Sequence, residues 1–133
     1  MVEVIKKELN MPFDDAVNHV RSIVEQEFSI FLVKPVTDVI KEKLNLPDYD
    51  KKATIILACN AHLAKMALDV TLENVNFMPC SFVVAEEAGK VYLMHVSIMK
   101  TMVETGIADF EAMKPVLEAT SKKVNKVIDQ IIK

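Results

Sequence analysis

Apolar and polar positions along this chain switch between a helical and a strand period, and the switches mark its elements. Phe13, Ala16, Val17, Val20, Ile23 and Val24 recur at three- and four-residue spacing, which gathers them on one stripe of a helix. Pro12 suits the first turn of that helix, and Asp14 and Asp15 sit where its dipole favours anions. His19 falls off the stripe, beside Asn18 and Arg21, and reads as a solvated helix residue without a role. Val2 to Lys7 alternates briefly and predicts a strand, placed at a sheet edge by Lys6 and Lys7. Phe28 to Val33 is apolar and β-favouring, and it stops at Lys34-Pro35 because proline cannot donate to a ladder.

Thr37 is expected to cap a short helix through Leu44, with Val36, Val39 and Ile40 inward. The stretch Asn45 to Asp50, NLPDYD, then breaks the helix. Ala53 to Val70 is the centre of the pattern. Ile55, Ile56, Leu57 and Ala58 leave no polar face, so they predict a central strand covered on both sides. Asn60 is the N-cap candidate for the helix that follows, whose stripe is Leu63, Ala64, Ala67, Leu68 and Val70. Pro79 holds Met78 extended. Cys80 to Ala85 and Val91 to Val96 then flank Glu86-Glu87-Ala88-Gly89-Lys90, a hairpin with glycine where a positive φ is wanted.

Ser97 caps a helix that Gly106 ends. The last helix begins at Asp109 or Lys114, and the intolerance of a helix interior for Pro115 favours the later start. Leu117, Val124, Ile128 and Ile131 form its stripe, widened by Val116, Val127 and Ile132. The resulting order β-α-β-(short α)-β-α-β-β-α-α predicts an α+β fold. Its sheet is mixed or antiparallel with helices packed on it, split β-α-β-like, followed by C-terminal helices. The wide apolar face of the last helix points to a second copy of the chain, and so to a homodimer.

Composition narrows the classes. At 133 residues and 51% hydrophobic content the chain fits a single domain, 1–133. Sixteen basic and 19 acidic residues, mixed along the chain, lack the dense basic footprint of nucleic-acid binding, so no nucleic-acid partner is expected. No run approaches the roughly 20 apolar residues of a membrane span, and the N-terminus has no uninterrupted apolar segment, which predicts a cytoplasmic protein. With only Gly89 and Gly106, the glycine-rich phosphate loops are absent. Eight methionines read as core filling.

The candidate chemistry lies at the end of the central strand. Cys59 enters a helix mouth, where unpaired N–H groups favour an anion and lower a thiol pKa. His62 follows in the same first turn, so Cys59-x-x-His62 suits a thiolate–imidazole pair or half of a metal site. Cys80 opens the hairpin and comes close to Cys59 if its strand lies beside the central one, and His95 is a further ligand candidate from the adjacent strand. Two thiols and a histidine fall short of the four ligands of a closed zinc site, and free cysteine is among the residues most often simply buried. Packing, a reactive thiol pair and a metal or metal-containing cofactor site all stay open. Ser81, Tyr49 and Tyr92 have no partners spaced as a triad, and Glu86 and Glu87 are solvated turn residues.

The segments DDAVNHVRSIVEQEFSI, VTDVIKEKLNL, IILACNAHLAKMAL and MPCSFVVAEEAGKVYLM together resemble the bacterial and archaeal family called domain of unknown function 302. Ala58, Cys59, Asn60, Ala64, Pro79 and Cys80 match its ACN-x-x-x-A and PC elements, and a glycine common before the second strand is replaced around Glu27. The resemblance covers about 4–96 and leaves 97–133 as a helical extension. It implies an α+β domain, commonly dimeric, and brings no established activity. Two functions are therefore in play: a small-ligand, metal or sulfur-handling pocket at Cys59, His62 and Cys80, or a non-catalytic structural or interaction domain whose cysteines only pack.

Overall fold

In chain order the elements are β1 (Val4–Leu9), α1 (Phe13–Val24), β2 (Ser29–Lys34), α2 (Val36–Lys43), β3 (Lys52–Cys59), α3 (Ala61–Val70), a 3-10 turn (Leu72–Phe77), β4 (Cys80–Glu87), β5 (Lys90–Val96), α4 (Ile98–Glu104) and α5 (Phe110–Ile131). They are taken from a computed structural model that describes residues 2–133. The strands form one sheet in the order β1-β5-β4-β3-β2, antiparallel at every pairing. The fold is α+β, as the element order predicts.

From these pairings β1 and β2 run in the same direction at opposite edges, joined by α1 and separated by three strands. That is a split β-α-β unit. The second expected half differs: β3 and β4, joined by α3, are direct antiparallel neighbours. Lys6 and Lys7 do lie on an edge strand, where charge discourages pairing with another chain.

Alternation along the strands separates two faces. Ile56, Ala58, Phe82, Val84, Val91 and Leu93 are buried with Ala16, Val20 and Val24 of α1, which lies across β3, β4 and β5. Phe82 is at the centre of this core, edge-on to Phe28 with ring centroids 5.6 Å apart. Truncating it to alanine costs about 3–5 kcal/mol. α5 packs on α1, α3 and α4, burying Met113, Val116, Val124, Val127, Ile128 and Ile131. Its wide stripe is therefore spent inside the monomer, and the last helix is not the free contact surface expected from its sequence.

Turn and cap chemistry explains most boundaries. Asn60 accepts from the Leu63 N–H at 3.1 Å, and Ser97 accepts from that of Lys100 at 3.2 Å. Ala88 and Gly89 both have positive φ, 53° and 77°, the requirement of a two-residue hairpin turn whose twist matches its strands.

Three local expectations are corrected. Thr37 does not cap α2; it is buried, its hydroxyl donating to the Ala53 carbonyl and accepting from the Ala53 N–H, so it continues the ladder of β3 beyond β2. The last helix starts at its earlier option, because Asp109 accepts from the Ala112 N–H at 3.0 Å. Pro115 then lies inside α5 on an exposed turn, where water reaches the carbonyl it leaves unpaired. His19 is not solvated: it is half-buried, and its Nε2 donates to the Ile131 carbonyl at 2.8 Å, satisfying an orphan group at the end of α5.

Candidate functional site

Asn60 organises the end of β3. While its side-chain oxygen caps α3, its Nδ2 donates to the Glu27 carbonyl at 2.8 Å and ties the turn before β2 to the helix mouth. The Glu27 side chain is gripped by Lys126 at 2.6 Å and Lys123 at 3.1 Å, which lower its pKa in that order. Glu27 thus clamps α5 to the sheet edge.

Sheet register brings the cysteines near one another. Cys80 opens β4 opposite Ala58, and Cys59 follows on β3, where it pairs with Ser29 of β2. Both border a cavity of only about 10 Å³, lined by Phe28, Leu63, Met78 and Met99 among others. That is room for about one water, in walls too apolar to hold it. Burial lifts both thiols: Cys59 is raised above its ordinary value, and Cys80 is pushed up to about 11, by burial first and by the nearby Cys59 second. The lowering expected of Cys59 at a helix mouth is reversed, because removing a thiolate from water costs more here than the helix end returns.

The other two candidates lie elsewhere. His62 is exposed on α3 and borders, with Cys59, a separate open hollow beside Glu25 and Glu27. Among the described residues no hydrogen bond joins it to Cys59, and no three of His, Cys, Asp and Glu gather as a metal-ligand set. His95 is buried on the helix-covered face of β5 and stacks on Phe82 with centroids 4.5 Å apart. Its Nδ1 donates to the Ser81 carbonyl at 2.8 Å. Burial lowers its pKa, opposed by that hydrogen bond, so it is held neutral as part of the core.

The second sheet face presents more. Ile55, Leu57, Val83, Ala85, Tyr92, Met94 and Val96 are only half-buried and do not pack against the core. This corrects the expectation that β3 is covered on both sides. The cross-strand row Lys34–Ile55–Val83–Met94–Lys6 spans all five strands, apolar in the middle with a lysine at each edge. Lys6 lies 4.3 Å from the Tyr92 ring centroid, its stem along the sheet.

A cleft of about 640 Å³ lies at the other end of β3 from the cysteines, between α1, α2 and the loop before β3. None of its residues was a site candidate from sequence, because they come from four separate segments with no motif spacing. No helix of the described residues is long and apolar enough to cross a membrane.

Against known proteins, the family model for "Domain of unknown function DUF302" matches residues 5–131. This chain belongs to the DUF302 family. The match takes in the helices after Val96, which the motif resemblance had left outside, in keeping with the packing of α5 into the one core. A crystal structure of an uncharacterized conserved DUF302 protein from Bacillus stearothermophilus superposes with a TM-score of 0.83 at 19% identity, over 96% of this chain and 97% of that one. At that identity the likeness speaks for the DUF302 fold alone. Among curated proteins none matches.

Proposed function

We propose that this DUF302 domain is a non-catalytic interaction domain that works as a homodimer, two copies packing their uncovered sheet faces together, with Cys59 and Cys80 serving the core. One observation carries this reading: an apolar face over the three middle strands, β3, β4 and β5, rimmed by Lys6 and Lys34, with no helix of the described residues packed over its middle. Monomeric proteins rarely leave such a continuous patch to water.

The dimensions suit a second copy. Strands about 4.8 Å apart and rows about 3.3 Å apart make a face of roughly 24 by 23 Å, so two copies cover on the order of 1,100 Å² of it. That passes the roughly 1,000 Å² expected of a specific interface. Two such faces pack at about 10 Å, with strands crossing at roughly 30°. Lys6 and Lys34 at the rims keep their ammonium groups in water while their stems extend the apolar area.

The pocket reading for Cys59, His62 and Cys80 finds less support, since the cavity holds no ligand-sized space and both thiols are biased toward the neutral form.

Size-exclusion chromatography with light scattering tests the proposal. The native chain is expected at twice 15.0 kDa at micromolar concentration. Val83→Glu, at the centre of the face and away from the core, is expected to give a folded monomer with unchanged far-UV circular dichroism. A monomeric native chain, or a Val83→Glu protein that still dimerises, overturns the proposal.

A further inference from the structure

A threonine hydroxyl open to solvent marks the cleft at the start of β3. Thr54 is 5% exposed and lines that cleft, and its hydroxyl, which makes no hydrogen bond to the described residues, stays open to it. The neighbouring buried threonine, Thr37, shows the ordinary outcome, with its oxygen engaged twice by Ala53. A hydroxyl that no protein group engages and that faces a cleft is free to bond to whatever enters it, water or a ligand.

The walls say what would complete it. Phe13, Val17 and Tyr49 give the cleft an apolar side, and Lys52 is held over the Phe13 ring, 4.7 Å from its centroid. Lys41 and Lys51 stand on the rim, and so do Asp14, Asp38, Asp50 and Glu86. Among the described residues none of these charges takes part in an ion pair. Both signs therefore stand unpaired around one opening.

A phosphate or other simple anion meets four carboxylates there, and a simple cation meets three ammonium groups. A molecule carrying separated positive and negative charges on an apolar body satisfies both sets and the wall. The volume, about 640 Å³, falls within the roughly 300–1,000 Å³ of small-molecule sites.

We infer that this cleft binds a small amphipathic zwitterion of the amino-acid class, its polar end bonded to the Thr54 hydroxyl and its apolar body against Phe13 and Tyr49. The site is separate from the open sheet face, so it stands whether or not the chain dimerises. Because the rim charges are solvated, each adds little, and binding is weak and selective rather than tight.

The test uses the ¹⁵N-labelled full chain titrated with L-phenylalanine, and with phenethylamine and 3-phenylpropionate as probes that carry one charge each. Saturable amide shifts are expected around Phe13, Thr37 and Thr54 with phenylalanine, and binding of either single-charge probe at least about tenfold weaker. Thr54→Val, which removes the hydroxyl at nearly constant shape and breaks no internal bond, is expected to keep the fold and its melting temperature and to weaken phenylalanine about tenfold, the loss of one hydrogen bond to a charged group. Absence of saturable shifts, equal binding of a single-charge probe, or undiminished binding by Thr54→Val overturns the inference.

Discussion

Raising the pH should expose how deeply Cys80 is held as a thiol. Its pKa moves from an ordinary 9.0 to about 11, chiefly through burial. In the unfolded chain the group loses its proton above pH 9, while the folded chain keeps it until about pH 11. The folded state then binds more protons than the unfolded one, so stability falls as pH rises through that window. At 1.36 kcal/mol per unit, the loss is about 2 kcal/mol by pH 10.5 and approaches about 2.7 kcal/mol beyond pH 11. Urea denaturation of the native chain and of Cys80→Ala, each at pH 8 and pH 10.5, isolates this contribution. Cys80→Ala starts lower through its lost contacts, but its advantage in lacking the thiol should bring the two curves about 2 kcal/mol closer at the higher pH. The same shift cuts the thiolate fraction at pH 8 about a hundredfold, so Cys80 should react with a disulfide reagent at least a hundredfold slower in the native state than after unfolding. A stability difference that does not change with pH, or a native Cys80 as reactive as a peptide thiol, would refute the burial argument and return weight to a reactive pair.

Two further outcomes follow from local geometry. Asn60→Ala removes both the cap on Leu63 and the bond to the Glu27 carbonyl, a loss of about 2 kcal/mol that lowers the melting temperature by roughly 7 °C for a chain of this size. Asn60→Asp keeps the cap but sets a carboxylate against that carbonyl, so calorimetry should find it destabilised too, and a variant as stable as the native chain would show the Glu27 bond to be idle. Ala88→Gly relieves a left-handed residue, φ 53°, and is expected to raise stability by up to about 1 kcal/mol in thermal unfolding; a lower melting temperature would contradict the turn assignment.

Much of the candidate site was legible one residue at a time. Asn60 and Ser97 are caps, Gly89 turns a hairpin and Lys6 marks an edge, because each answers to its immediate neighbours along the chain. His19 and Thr37 were misread for the complementary reason. Their partners, Ile131 and Ala53, lie 112 and 16 residues away, and no local period announces them.

Sequence by itself determined the α+β class, the order of the elements and the position of Cys59 at a helix mouth, since periodicity, capping and turn preferences are short-range properties. Only the tertiary structure decided what that position is worth. A helix end is electrostatically the same wherever it lies, but the desolvation of a thiol depends on Phe28, Leu63, Met78 and Met99, brought together from four segments. Likewise Ile55, Leu57 and Val83 read as apolar in any context; that the helices crowd one side of the sheet and leave these residues on the other follows from the packing of α1 and α5, a balance over the whole chain.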